Sequence, residues 1–194
     1  MALPLIHING FPAVGKLTIA RKLVELLQQF DAKLVHNHLL IDPASAVLPR
    51  SSPDYQPLRR AIRDAVFNSL AESQDTWRSM YIFTDFQSDD DVGRSVMAEY
   101  RVLAERRNCT LIPITLSCSK EENLRRLVTP QRTVFSKLTD LELVKNILET
   151  DVIYQWRDEP RHMELDVTSL DVDEAARRIC DHVVEACRDH GLKN

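Results

Sequence analysis

The sequence predicts an α/β fold, a three-layer sandwich in which helices cover both faces of a five-stranded parallel sheet. One pattern predicts this class. Short apolar runs alternate with segments of helical periodicity along all 194 residues, and such alternation is typical of parallel strands joined by crossover helices. The length suits one domain with a full core and is short for two, so we expect a single domain over residues 1–194.

Five strands are predicted from apolar runs of strand length, the first of which ends at a glycine. They cover Leu3–Asn9, Ala32–His36, Met80–Phe86, Leu111–Leu116 and Met163–Val167. The histidine within the first strand, His7, is expected to pack in the core. Between residues 37 and 57 the density of proline and serine predicts a loop. No other connection is as rich in turn-forming residues.

Helices are predicted where apolar residues recur three and four positions apart, and where capping signals precede them. Periodicity indicates Leu17–Phe30 and Leu58–Ser73. Three pairs of residues have capping-box spacing. Ser88 and Asp91 predict a helix over Val92–Arg107, and Ser119 and Glu122 predict one that ends near Leu127. Thr139 and Glu142 predict a third, which ends at about Tyr154. Asp171 is the predicted cap of a last helix that runs to about Asp189.

The segment NGFPAVGKLTIA, residues 9–20, predicts a phosphate-binding loop. Gly10 and Gly15 are two of only four glycines in the chain, and glycine permits the close backbone approach by which N–H groups surround phosphate oxygens. Lys16 would reach the terminal phosphates. An apolar strand enters the loop and an amphipathic helix leaves it, which is the context this motif requires. The alternative is an ordinary strand–helix turn that contains Gly-Lys by chance.

The loop resembles that of adenylate kinases and related nucleoside monophosphate kinases, which reads Gly-x-Pro-Gly-Ser-Gly-Lys-Gly-Thr. The matching residues are Gly10, Pro12, Gly15, Lys16 and Thr18, and the departures are Ala13, Val14 and Leu17. The resemblance implies that residues 10–18 bind ATP with Mg²⁺, and that Thr18 faces the α-phosphate and is a candidate metal contact. Leu17 removes the hydroxyl that most phosphate-loop proteins offer to magnesium, so a protein anchor for the metal is expected elsewhere.

Four further segments, LVHNHLLIDP, YIFTDF, CSKEENLRRL and LDVTSLDVDEAARRI, extend the likeness over essentially the whole chain. Together with the loop they resemble a family of small phosphate-loop proteins described as shikimate-kinase-like or as nucleotide-binding. The resemblance implies a P-loop kinase fold of the nucleoside monophosphate kinase type. It does not imply a particular substrate.

Asp85 is the candidate catalytic carboxylate, because it ends a buried strand beside the phosphate loop. It resembles the strand-end aspartate of adenylate kinases and is expected to hold magnesium through water, or to act as a base toward an alcohol. The alternative is a capping or loop aspartate.

Asn37, His38 and Asp42 are the candidate acceptor-binding residues, since they follow the second strand, where the acceptor enters in this superfamily. One alternative is that these polar residues only anchor the loop. His36 and His38 would share one face if that strand continued, which leaves a metal site as a second alternative.

Several arginines complete the predicted site. Arg60 and Arg63 are candidates for clamping an anionic acceptor within an insertion over about residues 37–73, although a solvated helix face would use the same residues. Arg126 and Arg132 are candidate catalytic residues of a lid over about residues 125–139, where they would stabilise charge on the transferred phosphoryl group. Surface basic residues are the alternative.

The expected function is that of an ATP-dependent kinase acting on a small molecule, with a nucleotide-binding NTPase or switch as the alternative. The net charge of −4 speaks against a nucleic-acid surface, and no apolar run is long enough to span a membrane. The four cysteines form no Cys-x-x-Cys pair, and residues 1–9 show no targeting signal, so a reducing, cytoplasmic location is expected. The sequence indicates neither the oligomeric state nor the acceptor.

Overall fold

The structure, a computed structural model, describes residues 2–127 and 141–188. Within these ranges the chain forms five strands and seven α-helices. The strands are β1 (Leu5–Gly10), β2 (Lys33–His36), β3 (Tyr81–Thr84), β4 (Leu111–Ser117) and β5 (Met163–Asp166). The helices are α1 (Lys16–Leu26), α2 (His38–Val47), α3 (Tyr55–Glu72), α4 (Asp91–Arg107), α5 (Lys120–Leu127), α6 (Leu141–Thr150) and α7 (Val172–Arg188), with short 3₁₀ turns at Gln28–Phe30 and Gln74–Thr76.

The strands form one parallel sheet in the order β2-β3-β1-β4-β5. Side chains on the two faces of the sheet enter two separate cores. Ile6 and Ile8 pack with helices α1 and α7 on one face, whereas Leu5 and Phe83 pack with α3 and α4 on the other. The predicted three-layer α/β class, with a five-stranded parallel sheet, is confirmed.

Helix α2 lies inside the segment that was predicted to be a loop, and that prediction is wrong for residues 38–47. Pro43 removes one backbone donor from the helix. Against this cost, Leu40 and Ala44 are one turn apart and both are buried. Helix α2 packs on α3, and Ser45 and Tyr55 join the two with a hydroxyl–hydroxyl hydrogen bond of 2.9 Å. Tertiary packing therefore outweighs the local proline signal.

The capping predictions had mixed outcomes. The cap of α4 is Asp90, whose carboxylate accepts from the N–H of Gly93 at 2.7 Å, so the predicted box at Ser88 is wrong. Ser119 Oγ accepts from the N–H of Glu122 at 3.2 Å and Asp171 accepts from the N–H of Glu174 at 2.7 Å, so those two caps are confirmed. Thr139 lies outside the described residues. Helix α6 ends at Thr150 and does not reach Tyr154.

No helix in the described part of the chain combines the length and apolarity needed to cross a bilayer.

Candidate active site

A cavity of about 760 Å³ lies at the carboxyl edge of the sheet. Because β2, β3 and β1 are neighbours, the segments that follow these strands stand in a row along it. Residues 36–38 come first, then residues 84–86, then the loop that contains residues 12–18. Arginines of α5 and residues 167–172, which follow β5, close the opposite side. Crevices of this kind are where open α/β sheets bind their ligands.

The phosphate loop has the backbone that its glycines require. Gly10 has a φ of 155°, and a Cβ there would lie 2.6 Å from the carbonyl oxygen of Leu116, so the loop passes too close to β4 for any side chain. Gly15, immediately before α1, has a φ of 109°. Ala13 also has a positive φ, 72°, at the position where the resembling loops carry glycine.

Lys16 lies across the loop that precedes it. Its ammonium donates hydrogen bonds to the carbonyl oxygens of Gly10 at 2.6 Å and of Phe11 at 2.8 Å. It also lines the cavity, together with Leu17 and the exposed Thr18. The loop therefore holds a positive charge close to the N-terminus of α1, whose backbone N–H groups add to the attraction for an anion.

Asp85 is nearly buried at the end of β3, with 4% of its surface exposed. One carboxylate oxygen accepts from the N–H of Phe86 at 2.8 Å, and the other accepts from the hydroxyl of Tyr100 at 3.5 Å. Burial, with the charge of Asp85, raises the pKa of Tyr100 well above its ordinary value. Tyr100 consequently stays a neutral donor toward the carboxylate.

His7 lies in the core on the α4 side of the sheet, fully buried. Its ring centroid is 4.3 Å from that of Tyr100 and 5.7 Å from that of Trp156. Burial lowers the pKa of His7 to about 4, although the charge of Asp85 opposes this shift. His7 is therefore a neutral core residue, as the sequence predicted, and it does not line the cavity.

The predicted acceptor residues lie on the β2 side of the cavity. Asn37 and His38 line it, together with His36 and Arg50. Asp42 does not line it, but its carboxylate lies 3.0 Å from Nδ1 of His38. His38 starts helix α2 and does not continue the strand, but its ring centroid still lies 6.2 Å from that of His36. The described residues contain no group of three or more His, Cys, Asp or Glu side chains arranged to hold a metal.

Arg60 and Arg63 do not line the cavity. Both pair with Glu99 of α4, Arg60 at 3.3 Å and the buried Arg63 at 2.5 Å. They join α3 to α4, and this placement does not favour the predicted role in acceptor binding.

Arg126 joins the phosphate loop to the segment that follows β5. Its guanidinium donates to the carbonyl oxygens of Val14 at 2.9 Å and of Val167 at 2.7 Å, and Glu122 holds it with a hydrogen bond of 2.6 Å. Hydrogen bonds from Arg125 and Arg126 lower the pKa of Glu122 to about 2. Arg132 and most of the predicted lid, residues 128–139, lie outside the described residues.

Three contributors to the cavity were missed by sequence reasoning: Glu122, Arg50 and residues 167–172. Glu122 was recognised only as part of a capping box. A signal for residues 167–172 was present, because the cap at Asp171 indicates that the chain turns at the carboxyl edge after β5. Arg50 carries no local signal, since it stands among prolines and serines.

Comparisons with solved structures find the same fold in several small-molecule kinases. A gluconokinase from Sinorhizobium meliloti 1021 superposes with a TM-score of 0.61 at 16% identity, over 97% of this chain and 96% of that one. The Mycobacterium tuberculosis APS kinase in complex with AMPPNP and APS gives 0.61 at 16%, over 95% and 98%. Shikimate kinase from Acinetobacter baumannii in complex with shikimate gives 0.55 at 21%, over 98% and 96%.

No model of a known protein family matches the chain, and a search of curated proteins finds no match. The likeness to solved structures establishes the fold of the P-loop small-molecule kinases, which confirms the fold expected from the sequence.

Proposed function

We propose that the protein is an ATP-dependent kinase that transfers the γ-phosphate to a small-molecule acceptor. One observation carries the proposal: a single cavity joins a phosphate loop to a polar pocket on the β2 side. A hydrolase that used water alone would not need the second pocket. The structural neighbours include kinases of gluconate, APS and shikimate type, which supports the same class of reaction.

The nucleotide is assigned to the half of the cavity between the phosphate loop and residues 167–172. Lys16 and the first turn of α1 would hold its β- and γ-phosphates. The planar guanidinium of Arg126, bonded to Val14 and Val167, is suited to stack on a base or to contact a phosphate. The complex of a structural neighbour with AMPPNP supports ATP as the donor.

Magnesium is assigned to the nucleotide, with Asp85 as its candidate carboxylate. Mg²⁺ prefers oxygen ligands and keeps several waters, and the carboxylate of Asp85 lines the cavity beside the loop. Leu17 offers no oxygen, so Thr18 is the hydroxyl of the loop that remains for the metal or the α-phosphate. When bound, the ion would neutralise charge on the phosphates.

Labelled phosphate transfer tests the proposal. We expect γ-³²P-ATP, incubated with the protein and a metabolite extract, to yield a labelled organic product, and Lys16→Ala to abolish this product while the melting temperature stays within about 2 °C, because the lysine is not part of the core. Lys33→Ala is the matched control, since Lys33 is an exposed lysine paired with Asp31 at 3.0 Å.

Each other outcome has a distinct meaning. Label that appears only in inorganic phosphate would support the NTPase alternative. Unchanged turnover in Lys16→Ala would contradict the assignment of the phosphate loop.

A further inference from the structure

The N-terminal part of α2 contains a histidine–carboxylate pair at the edge of the cavity. Nδ1 of His38 lies 3.0 Å from a carboxylate oxygen of Asp42, one helical turn further on. The side chains of His38 and Asp42 are 28% and 57% exposed. His38 lines the cavity and Asp42 does not, so the carboxylate supports the ring from outside the site.

Such a contact determines which nitrogen of the ring carries the proton. A carboxylate accepts only, so the neutral ring donates Nδ1–H to Asp42 and leaves the lone pair on Nε2. A ring in this tautomer, oriented by a carboxylate, is the arrangement that general bases use to take a proton from a hydroxyl.

Asp85, the other candidate base, is less suited to this step. It is nearly buried, and both of its oxygens already accept hydrogen bonds, from Phe86 and from Tyr100. It remains suited to holding a water of the metal shell.

The strand order places the pair and the phosphate loop two strands apart, after β2 and β1. Ile8, Thr84 and His36 are aligned across β1, β3 and β2. Neighbouring strands are about 4.8 Å apart, so residues on β1 and β2 at this level are separated by about 10 Å. The γ-phosphate on one side and one hydroxyl-bearing molecule on the other fill a gap of that size.

We propose that His38 is the general base of the reaction, that Asp42 positions it, and that the acceptor is therefore an alcohol. This inference rests on the proposed kinase function. Nε2 takes the hydroxyl proton as the acceptor oxygen forms its bond to the γ-phosphorus. The bond from that phosphorus to the bridging oxygen breaks, its electron pair leaves with ADP, and the imidazolium beside Asp42 later returns its proton to water. A phosphate or carboxylate acceptor is already ionised at neutral pH and needs no such base.

Kinetics on the acceptor found by labelled transfer provide the first test. We expect His38→Gln to lower kcat about 100-fold with little change in KM for ATP, and to abolish the acidic limb of the pH profile of kcat/KM. Added imidazole should restore part of the activity of His38→Ala. If His38 had only a structural role, imidazole would not restore activity. The charged groups to be considered in this profile are Asp42 on α2, His36 on β2, and Arg50 and Asp85 in the cavity wall.

Asp42→Asn is expected to lower kcat about 10-fold or more, because the amide no longer selects the Nδ1–H tautomer. Asp64→Asn is the matched control, as Asp64 is an exposed helical aspartate of α3 outside the cavity. An acidic limb that persists unchanged in His38→Gln would overturn the proposal while leaving the kinase function in place.

Nitrogen NMR of ¹⁵N-histidine-labelled protein tests the pair without an acceptor. We expect the signal lost in His38→Gln to be that of an Nδ1–H ring with unprotonated Nε2 at neutral pH, and this tautomer to lose its dominance in Asp42→Asn. A dominant Nε2–H tautomer in the wild type would overturn the base assignment. If the tautomer is as expected but no acceptor is ever labelled, the proposed kinase function has failed, and the role of His38 as base fails with it.

Discussion

At the residue scale, the three departures of the phosphate loop from the resembling pattern have different consequences. Val14 is buried in the core between the sheet and helices α1 and α7. Ala13 occupies a backbone conformation that favours glycine, with a φ of 72°. Leu17 lines the cavity where a hydroxyl is more usual. The first departure contributes packing, the second costs strain, and the third places an apolar side chain in the cavity wall.

Ala13→Gly is expected to stabilise the protein slightly. An L-residue in the left-handed region is strained by about 1–2 kcal/mol, and glycine removes this strain. Glycine also gives the unfolded chain more conformational freedom, which cancels about 0.4–1 kcal/mol of that gain. The net gain in the free energy of unfolding is thus about 0.5 kcal/mol, measured by urea denaturation. Ala98→Gly, in an exposed position of α4, should lose about 1 kcal/mol. Equal losses in both variants would mean that residue 13 is not strained.

Asp85→Asn is expected to reduce turnover by a larger factor than it weakens nucleotide binding, and to raise the magnesium concentration needed for half-maximal activity. In the proposed site the carboxylate would act on the metal and the transition state, and less on bound ATP. Leu17→Ser should be tolerated and should lower the magnesium requirement. A magnesium titration of turnover measures both changes. Asp89→Asn, at an exposed aspartate paired with Arg94, is the control. A titration of Asp85→Asn that matches the wild type would assign Asp85 to structure.

At the scale of elements, the start of α4 holds the loop that follows Asp85. A Cβ on Gly93 would lie 1.9 Å from the carbonyl oxygen of Ser88, so helix and loop are in backbone contact. Ser88 is itself bonded to Asp151 at 2.9 Å, and Asn9 of β1 bonds both the N–H and the carbonyl of Gln87. The loop thus connects β1, α4 and the segment after α6.

Gly93→Ala is expected to lower the free energy of unfolding by about 1–3 kcal/mol. Inside a helix, alanine normally stabilises a protein by about 1 kcal/mol relative to glycine. The expected loss of stability in Gly93→Ala is therefore the opposite of what helix propensity alone predicts. Because the loop must move, turnover should fall as well. Ser95→Ala, two residues on in an exposed position, is the control. A stability gain in Gly93→Ala would show that the loop yields without cost.

At the scale of the whole molecule, the buried His7 makes stability depend on pH. Its pKa is lowered to about 4 by burial, whereas an unfolded histidine has a pKa of about 6.5. Between these values the unfolded chain binds more protons than the folded protein, so the free energy of unfolding falls as the pH falls. The loss is complete below about pH 4 and amounts to about 3 kcal/mol.

His7→Leu should remove this part of the pH dependence. Denaturant melts at pH 7 and pH 4.5 measure it, and we expect the difference between the two pH values to shrink by about 2 kcal/mol in the variant. Ile8→Val, in the adjacent position of β1, removes one buried methylene and carries no charge. It should lower stability equally at both pH values. A pH dependence in His7→Leu identical to that of the wild type would contradict the assignment.

Local patterns are sufficient to predict most elements and several of the residues that line the cavity. The sequence alone identifies residues 10–18, His38 and Asp85, because a strand end, a glycine pair and a polar cluster are each recognisable from neighbours in the chain. It does not identify helix α2, because burial of Leu40 and Ala44 against α3 is invisible in a segment whose prolines indicate a loop. The same segment hides Arg50, whose place in the cavity wall follows from how the chain folds after β2.

The sequence by itself determined the alternation of strands and helices, the phosphate loop and the polar residues that follow each strand. These depend on neighbours in the chain, through periodicity, capping and the backbone freedom of glycine. Only the tertiary structure decided the strand order β2-β3-β1-β4-β5, and with it which strand ends share a cavity. It also decided that Arg63 pairs with Glu99 while Arg50 faces the cavity. The physical reason is that strand pairing and helix packing are chosen by burial of apolar surface between distant segments, which no local pattern encodes.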